Sequence, residues 1–336
     1  MGASVPPCLL VTLGDVAGIG PEVAVRAWSD PALHELAALT MIGDVGVLQR
    51  EAQRWNPSVQ VVEVNRPGHL AGGVRLMPVV QGTRELLFDV KPSQVSRQAG
   101  KASYDFLVRA VECIRGGVAD GMVTLPLHKE GLKAAGLAFP GHTEILAELT
   151  GTNRFGMMLY HGGLGVTHVT LHMALREVFS HLKMEAILEK IELTAKMLAR
   201  LKKEVLEGRR PRLALCALNP HAGEGGLFGR EEIEILEPAV RLAQERGYDV
   251  SGPMPSDTVF LHAKVGRFDG VIALYHDQGH IPMKLLAGYR AVNITLGLPI
   301  VRTSVAHGTA YDIVGKGVAD PGGLIEAVRA AARLCG

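Results

Sequence analysis

Residues 270–280 read GVIALYHDQGH, a short apolar run that passes directly into histidine, aspartate and glycine. Similar apolar runs lie at residues 8–12, 121–125, 165–170 and 213–218. Short runs rich in Val, Ile and Leu are typical of buried strands. We therefore predict a buried sheet in which several strands end in polar, glycine-containing loops.

Amphipathic segments separate these runs. The clearest one spans residues 184–205, with lysine and glutamate opposite an apolar stripe and Gly208 as a stop. The stripe consists of Met184, Ile187, Leu188, Ile191, Ala195, Leu198, Leu201 and Val205. Because strands and helices alternate, we predict an α/β protein with a mostly parallel sheet.

Composition narrows the classes of function. A chain of 336 residues is long enough for about two domains. Lys+Arg 35 nearly balances Asp+Glu 34, which argues against nucleic acid as the main partner. No apolar run approaches the roughly 18 residues of a membrane span, and the first seven residues lack the features of a secretory signal. The four cysteines form no C-x-x-C pair, so we expect reduced thiols and a cytoplasmic protein.

A glycine-containing turn, TLGDVAGIG at residues 12–20, follows the first strand. It imitates the cofactor turn of short-chain dehydrogenases, but no tyrosine has the lysine four residues later that those enzymes require. The G-x-G-x-x-G fingerprint of Rossmann domains is also missing after this strand. With Pro21 next in the chain, a tight strand-to-helix turn is favoured.

Histidines follow several predicted strands, and His172, His221 and His276 are the clearest cases. Ligands of open α/β sheets bind beyond the carboxyl ends of the strands, so these side chains can share one site. Neutral imidazole is the commonest ligand of zinc-like ions. A single histidine in such a position is more often a capping or hydrogen-bonded residue. The residues by themselves leave a metal site and a structural role open.

Groups that bind anions form a second set of candidates. Residues 140–144, PGHTE, precede an apolar segment, and Thr143 resembles an N-cap. The free N–H groups at a helix start also bind anions. Lys284, Asn293 and Arg302 are further candidates for holding a phosphate or carboxylate. Taken singly, each of these features also has a purely structural interpretation.

An ordered set of motifs carries a family resemblance. The motifs are GDVAGIGP (14–21), PGHTE (140–144), HMALR (172–176), LNPHAGE (218–224), PSDT (255–258), YHDQG (275–279), VNITLGLP (292–299) and RTS (302–304). In this order they resemble the 4-hydroxythreonine-4-phosphate dehydrogenase family of pyridoxal phosphate synthesis. The stretch HGTAYDIVGKG at residues 307–317 also resembles the NAD loop of isopropylmalate and isocitrate dehydrogenases.

The resemblance implies the α/β fold of isopropylmalate and isocitrate dehydrogenases, with two domains around an active-site cleft and no Rossmann fingerprint. The implied first domain is discontinuous, comprises residues 1–138 and 295–336, and carries the cofactor loop. The implied second domain, residues 139–294, carries the metal ligands and the dimer interface. The family is further expected to form a homodimer in which the His276 loop completes the metal site of the partner.

Roles for single residues also come from the resemblance. His172, His221 and His276 match ligands of a divalent metal, either zinc or magnesium, cobalt or manganese. The substrate-binding positions are His142, Thr143, Lys284, Asn293 and Arg302. The cofactor-binding positions are His307, Gly308, Ala310 and Asp312. The catalytic candidates are Lys284, Asp257 and Asp277, and the general base is left open between Lys284, an aspartate and a hydroxide on the metal.

The cofactor expected from this loop is NAD. A carboxylate at Asp312 would hydrogen-bond a free ribose 2′-hydroxyl and repel the 2′-phosphate of NADP. The implied reaction is oxidation of 4-phosphohydroxy-L-threonine followed by metal-assisted decarboxylation to 3-amino-2-oxopropyl phosphate.

The chain also departs from the family pattern. Asp15-Val16 stands where Glu-Pro is frequent, His128 where Asn is frequent, and HIPM at residues 280–283 where Leu-Pro-Val-Leu is expected. Such features resemble relatives that act on D-threonate or D-erythronate 4-phosphate or on aromatic carboxylate dihydrodiols, so these substrates stay open. A zinc hydrolase with three histidines and a water is the alternative from another class of enzyme. A metal-binding protein without activity is the remaining alternative.

Overall fold

A computed structural model of the chain describes residues 6–68 and 73–336. Of these described residues, those up to 153 and those from 298 to 336 form unit 1, and residues 154–297 form unit 2. The expected lack of a secretory signal concerns residues 1–7, of which 1–5 lie outside the described residues.

Unit 1 is built around a parallel sheet. Its strands are β1 (Cys8–Thr12), β2 (Ala38–Gly43), β3 (Gln60–Glu63), β4 (Leu76–Gln81), β5 (Gly121–Thr124) and β12 (Val301–Val305). Its helices are α1 (Gly20–Trp28), α2 (Pro31–Leu36), α3 (Val45–Trp55), α4 (Arg97–Arg115), α5 (Lys129–Ala134), α6 (His142–Thr150) and α13 (Gly322–Cys335). The strand order is β3-β4-β2-β1-β5-β12, with parallel pairings. Helix α1 begins at Gly20 with Pro21 in its first turn, which confirms the predicted tight turn.

Unit 2 contains a mixed sheet. Its strands are β6 (Gly156–His161), β7 (Leu164–His168), β8 (Leu213–Cys216), β9 (Val250–Met254), β10 (Gly270–Ala273) and β11 (Val292–Leu296). Its helices are α7 (Leu175–His181), α8 (Met184–Leu201), α9 (Lys203–Leu206), α10 (Glu237–Glu245), α11 (Ser256–Lys264) and α12 (His276–Ala287). In the order β11-β6-β7-β10-β8-β9, the first two pairings are antiparallel and the last three are parallel.

The antiparallel pairing of β6 with β7 has a local cause. The two strands are joined by Gly162 and Gly163, whose φ angles are +57° and +87°. Positive φ at both central residues is what a type I′ hairpin turn requires. The prediction of a mostly parallel sheet is therefore correct for unit 1 and for three of the five strand pairings of unit 2.

The predicted helical stripe is confirmed as far as Leu201, and residues such as Ile187, Ile191 and Leu198 are fully buried. The extension to Val205 is wrong, because α8 ends at Leu201 and Val205 is 69% exposed. Lys202, the first residue after α8, forms an ion pair with the buried carboxylate of Asp269.

The structural units have other bounds than the domains that the resemblance implies. Residues 139–153 group with unit 1 and residues 295–297 with unit 2. Residues 139–153 group with unit 1 because α6 packs against α4 of unit 1. Within the described ranges, no helix is both long and apolar enough to cross a membrane.

Candidate active site

Among the candidate substrate-binding residues, Arg302 is a buried cation in unit 1. It lies on β12 with 2% of its surface exposed, and its Nε and Nη2 donate to Thr124 Oγ1 at 3.2 and 2.7 Å. Burial lowers the pKa of Arg302 to about 9, against the opposing effect of Glu144. The guanidinium is therefore still charged at neutral pH. A buried cation of this kind is well suited to bind the phosphate or carboxylate of a ligand.

His142 and Thr143 lie in the first turn of α6 in the same unit. The prediction of Thr143 as N-cap is wrong: the chain is extended at Gly141 (φ 173°), which is the N-cap, and no side chain caps the helix. Burial, and then the charge of Arg302, lower the pKa of His142 well below its ordinary value of 6.5. The neutral imidazole can donate one hydrogen bond and accept another.

The candidate cofactor loop, residues 307–317, lies against the glycine-containing turn of unit 1. Thr309 O accepts a hydrogen bond from Ile19 N at 3.0 Å. His307 Nε2 is buried without a hydrogen-bond partner, and burial lowers the pKa of His307. The side chain of Asp312 is exposed. An unpaired imidazole nitrogen and an exposed carboxylate fit the amide and hydroxyl groups of a dinucleotide.

Two departures from the family pattern, Asp15 and His128, hold this loop through Tyr311. The Tyr311 hydroxyl donates to Asp15 Oδ2 at 2.6 Å, and its ring stacks on His128 with centroids 4.7 Å apart. Burial raises the pKa of Asp15, although the hydrogen bond from Tyr311 opposes this effect. Beside Tyr311, Ala310 has a left-handed backbone with φ +44°, and the Cα of Gly308 faces open space. The sequence indicated the departures but not their common partner.

Four imidazoles meet at the carboxyl ends of β7 and β10 in unit 2. His168 ends β7 and His172 follows it, while His276 and His280 lie one turn apart at the start of α12. Ring centroids are 3.7 Å apart for His276 and His280, 5.7 Å for His172 and His276, and 4.6 Å for His168 and His280. Two predicted metal ligands, His172 and His276, thus lie together. His168 and His280 complete the cluster, although the sequence did not indicate either residue as a site residue.

Hydrogen bonds orient these rings. His276 Nδ1 lies 2.6 Å from Asp277 Oδ1, an arrangement that leaves Nε2 directed away from the carboxylate, as in many metal-binding histidines. His280 Nδ1 lies 3.1 Å from His168 Nε2. Burial, and then the neighbouring imidazoles, lower the pKa of His168 well below 6.5 and that of His280 to about 4. Neutral imidazole is the form that binds metal ions.

His221, the third predicted ligand, lies on the loop after β8, the strand next to β10. All of residues 221–225 have a left-handed backbone, with φ between 44° and 77°. Such a backbone costs a non-glycine residue roughly 1–2 kcal/mol, and His221, Ala222 and Glu224 all adopt it. The His221 side chain is exposed. This loop therefore depends on contacts elsewhere in unit 2.

The other predicted residues of unit 2 lie on three different elements. Asp257 is exposed in the first turn of α11, and Lys284 is exposed on α12, one turn beyond His280. Asn293 lies on β11, and its Oδ1 is buried without a hydrogen-bond partner. An amide oxygen in this state can accept a hydrogen bond from a ligand.

The metal assignment stays a prediction. Among residues 6–68 and 73–336, no group of three or more His, Cys, Asp or Glu side chains has the arrangement of a metal site. The chemistry of the donors nevertheless fits a zinc-like ion. Imidazoles at the ends of adjacent parallel strands, one of them oriented by a carboxylate, are the ligands and the supporting contact that such ions use.

Comparison with known proteins identifies the family. The family model described as "Pyridoxal phosphate biosynthetic protein PdxA" matches residues 35–331. The chain is 39% identical to D-threonate 4-phosphate dehydrogenase of Pectobacterium atrosepticum, over 97% of this chain and 98% of that protein. It is 40% identical to 4-hydroxythreonine-4-phosphate dehydrogenase of Desulforapulum autotrophicum, over 97% and 95% of the two chains.

A solved structure agrees with these relatives. The crystal structure of 4-hydroxythreonine-4-phosphate dehydrogenase from Klebsiella pneumoniae is similar, with a TM-score of 0.88 and 37% identity over 99% of both chains. The chain belongs to the family of the pyridoxal phosphate biosynthetic protein PdxA. This membership confirms the predicted resemblance and fold, and it places the chain among dehydrogenases.

Proposed function

We propose that this chain is an NAD-dependent, divalent-metal-dependent dehydrogenase that oxidises and decarboxylates a four-carbon hydroxy acid phosphorylated at C4. The first candidate substrate is 4-phosphohydroxy-L-threonine, whose product is 3-amino-2-oxopropyl phosphate. The observation that carries the proposal is the buried, charged Arg302 beside His142 at the start of a helix. A phosphate carries a charge of about −1.5 to −2 at pH 7, so these anion-binding groups favour a phosphorylated acid over a dihydrodiol that carries only carboxylate.

Different residues of the chain would bind different groups of the substrate. Arg302 and the first turn of α6, which carries His142 and Thr143, hold the anionic groups. Asn293, with its unpaired buried oxygen, accepts a hydrogen bond from the substrate. Lys284 is the proposed group for moving the proton of the alcohol, with Asp257 or Asp277 as the alternative base.

The cofactors supply the remaining chemistry. When bound, NAD would supply the hydride acceptor and a divalent ion would supply a Lewis acid for the oxygen of the reacting carbon. His172, His221 and His276 would hold that ion, and Asp277 would orient His276. His307, Gly308, Ala310 and Asp312 would hold the dinucleotide. Cys8, Cys113 and Cys216 are buried free thiols, which supports a cytoplasmic location.

D-Threonate 4-phosphate is the second candidate. It differs from 4-phosphohydroxy-L-threonine at C2, where a hydroxyl replaces the amino group, so the same oxidation and loss of CO2 would give dihydroxyacetone phosphate. The 39% identity to a relative of that name supports it. The departures at Asp15, His128 and His280 also support it, because they resemble relatives that act on D-threonate 4-phosphate, and these residues contact the candidate cofactor loop and His276.

A substrate panel tests the proposal. Metal-loaded enzyme and NAD are mixed with 4-phosphohydroxy-L-threonine, D-threonate 4-phosphate, D-erythronate 4-phosphate or a carboxylated cyclohexadiene diol, and NADH absorbance is followed. We expect one of the phosphorylated acids to be oxidised far faster than the diol. NADH production with the diol alone would overturn the choice of substrate. No NADH with any compound would favour the zinc hydrolase.

We also propose a homodimer with shared active sites. Ile281 and Leu285 on α12, and Tyr289 just after it, are 56%, 83% and 72% exposed. Large apolar side chains in this number on one short segment favour contact with a second copy. Because α12 begins at His276, burial of this segment against a partner would place His276 at the dimer interface.

Mixing two inactive variants tests the shared site. His172→Ala and His276→Ala chains are combined under conditions that exchange subunits. Mixed dimers regain one intact site if the three ligands come from both chains, and part of the activity returns. If exchange is proven, both variants are folded and no activity returns, all three histidines act within one chain.

A further inference from the structure

The loop that carries His221 has a backbone that its own sequence does not favour. His221, Ala222 and Glu224 take φ angles of 53°, 56° and 44°, values that non-glycine residues rarely adopt. A strained backbone persists only where surrounding contacts determine it. Those contacts therefore decide where the His221 imidazole lies.

The contacts converge on the side chain of Glu232. Its Oε1 accepts hydrogen bonds from Leu218 N and Asn219 N, both at 2.8 Å, and its Oε2 accepts one from Asn219 Nδ2 at 2.9 Å. A Cβ on Gly223 would lie 2.8 Å from Oε2. The carboxylate thus contacts the chain on both sides of His221.

Glu232 is buried and charged. Only 1% of its surface is exposed. Burial opposes its ionisation, but the hydrogen bonds from Asn219 and Leu218 lower the pKa of Glu232 below its ordinary value. A carboxylate offers acceptors alone, whereas the NH2 group of a glutamine would face either the two backbone N–H groups at Oε1 or Asn219 Nδ2 at Oε2, a donor against a donor in both cases.

We propose that Glu232 is a positioning residue that holds the strained loop so that His221 presents its imidazole to the divalent ion. The proposal rests on the proposed function, in which His221 is a metal ligand. The ring of His221 is exposed, and Phe228 is a distant ring neighbour at 6.4 Å between centroids. Packing around the ring therefore contributes little, and the backbone sets its direction.

The test compares Glu232→Gln with Glu234→Gln in the full-length protein. Glu234 lies two residues further along, is exposed and pairs with Arg230 at 2.6 Å, so it is a matched control for the change of charge. Metal-depleted protein is titrated with Co²⁺, followed by visible absorption, at a temperature where circular dichroism shows each variant folded. We expect Glu232→Gln to weaken Co²⁺ binding by roughly 10–100-fold, as loss of a supporting contact does. Glu234→Gln should bind like the parent protein.

A further variant separates positioning from stability. Asn219→Ala removes one hydrogen bond to Glu232 and one to Glu231. It keeps the two bonds from the backbone to Glu232, and we expect a smaller loss of Co²⁺ affinity in the same direction. The KM for NAD should stay unchanged in both variants, because the cofactor loop belongs to unit 1. Should Glu232→Gln not fold, the Asn219→Ala result decides.

The outcomes distinguish a failure of His221 as metal ligand from a failure of Glu232 as positioning residue. If His221→Ala binds Co²⁺ like the parent, the metal assignment fails, and the role of Glu232 fails with it. If His221→Ala loses Co²⁺ while Glu232→Gln and Asn219→Ala bind it with parental affinity, the positioning role alone is overturned.

Discussion

The two units hold their candidate site residues in different ways. In unit 1, Arg302 is held in the core and His142 is half-buried, and burial lowers the pKa of each. In unit 2, His172 and His221 are exposed, and His221 lies on a left-handed loop. Changes in unit 1 should therefore affect stability together with binding, whereas changes at the exposed ligands should affect function and leave the fold intact.

Loss of a metal ligand should give the largest effect. We expect His221→Ala to reduce kcat by roughly 10³-fold, since a Lewis acid supplies several kcal/mol of stabilisation. The thermal unfolding midpoint should hardly change, because the side chain is exposed. Metal analysis and steady-state kinetics check this, and full metal content with full activity would remove His221 from the ligand set.

Arg302→Lys should have the next largest effect, and it should weaken both substrate binding and the stability of the fold. Lysine keeps the charge but loses the fork that donates to Thr124. Hydrogen bonds to charged groups contribute about 1.5–3 kcal/mol, so we expect kcat/KM for the phosphorylated substrate to fall roughly 10–100-fold. Denaturant unfolding should show a loss of stability as well, with the exposed Arg333→Lys as control. Unchanged kinetics for Arg302→Lys would show that unit 1 does not bind the substrate anion here.

Cofactor preference should respond to Asp312. The parent enzyme should prefer NAD, because a carboxylate repels the 2′-phosphate of NADP. Asp312→Ser should shift the ratio of kcat/KM values towards NADP by about tenfold or more. Equal efficiency with both cofactors in the parent enzyme would contradict the assignment of this loop.

Acid should destabilise the chain through His142, with the smallest effect of the four. Its pKa is lowered in the folded protein, so the unfolded chain binds a proton first as the pH falls below about 6.5. The stabilising contribution is present above that pH and is lost below it, with a slope of at most about 1.4 kcal/mol per pH unit. His142→Gln should flatten the pH dependence of the free energy of unfolding between pH 6.5 and 5. An identical pH dependence in parent and variant would show that His142 is not held neutral.

Periodicity predicted the fold well where packing is regular. The stripe from Ile187 to Leu201 is buried, as its spacing indicates. Periodicity failed at Val205, because an ion pair between Lys202 and Asp269, 67 residues apart in sequence, lies at the end of the helix. Distant contacts of this kind leave no local pattern in the sequence.

The candidate site was predictable in part. Polar residues after apolar runs indicated His172 and His276, which the structure brings together. His168 was missed because it lies within an apolar run, where a histidine is normally structural. One signal was available: Gly279 is required in HDQGH, since a Cβ there would lie 2.4 Å from His168 Nε2. The left-handed loop at His221 was not predictable, because the residues before it contact Glu232, eleven residues beyond His221, and such a contact leaves no local pattern.

Paired measurement of NADH and CO2 tests the central claim most directly. The phosphorylated acid that gives the highest rate is incubated with NAD and enzyme that is metal-loaded, metal-depleted or restored with Zn²⁺, Co²⁺, Mn²⁺ or Mg²⁺. We predict one CO2 for each NADH with loaded enzyme, loss of both products on depletion and recovery of both with at least one ion. Full activity in enzyme proven free of metal, or NADH formed without CO2, would contradict a metal-dependent oxidative decarboxylase.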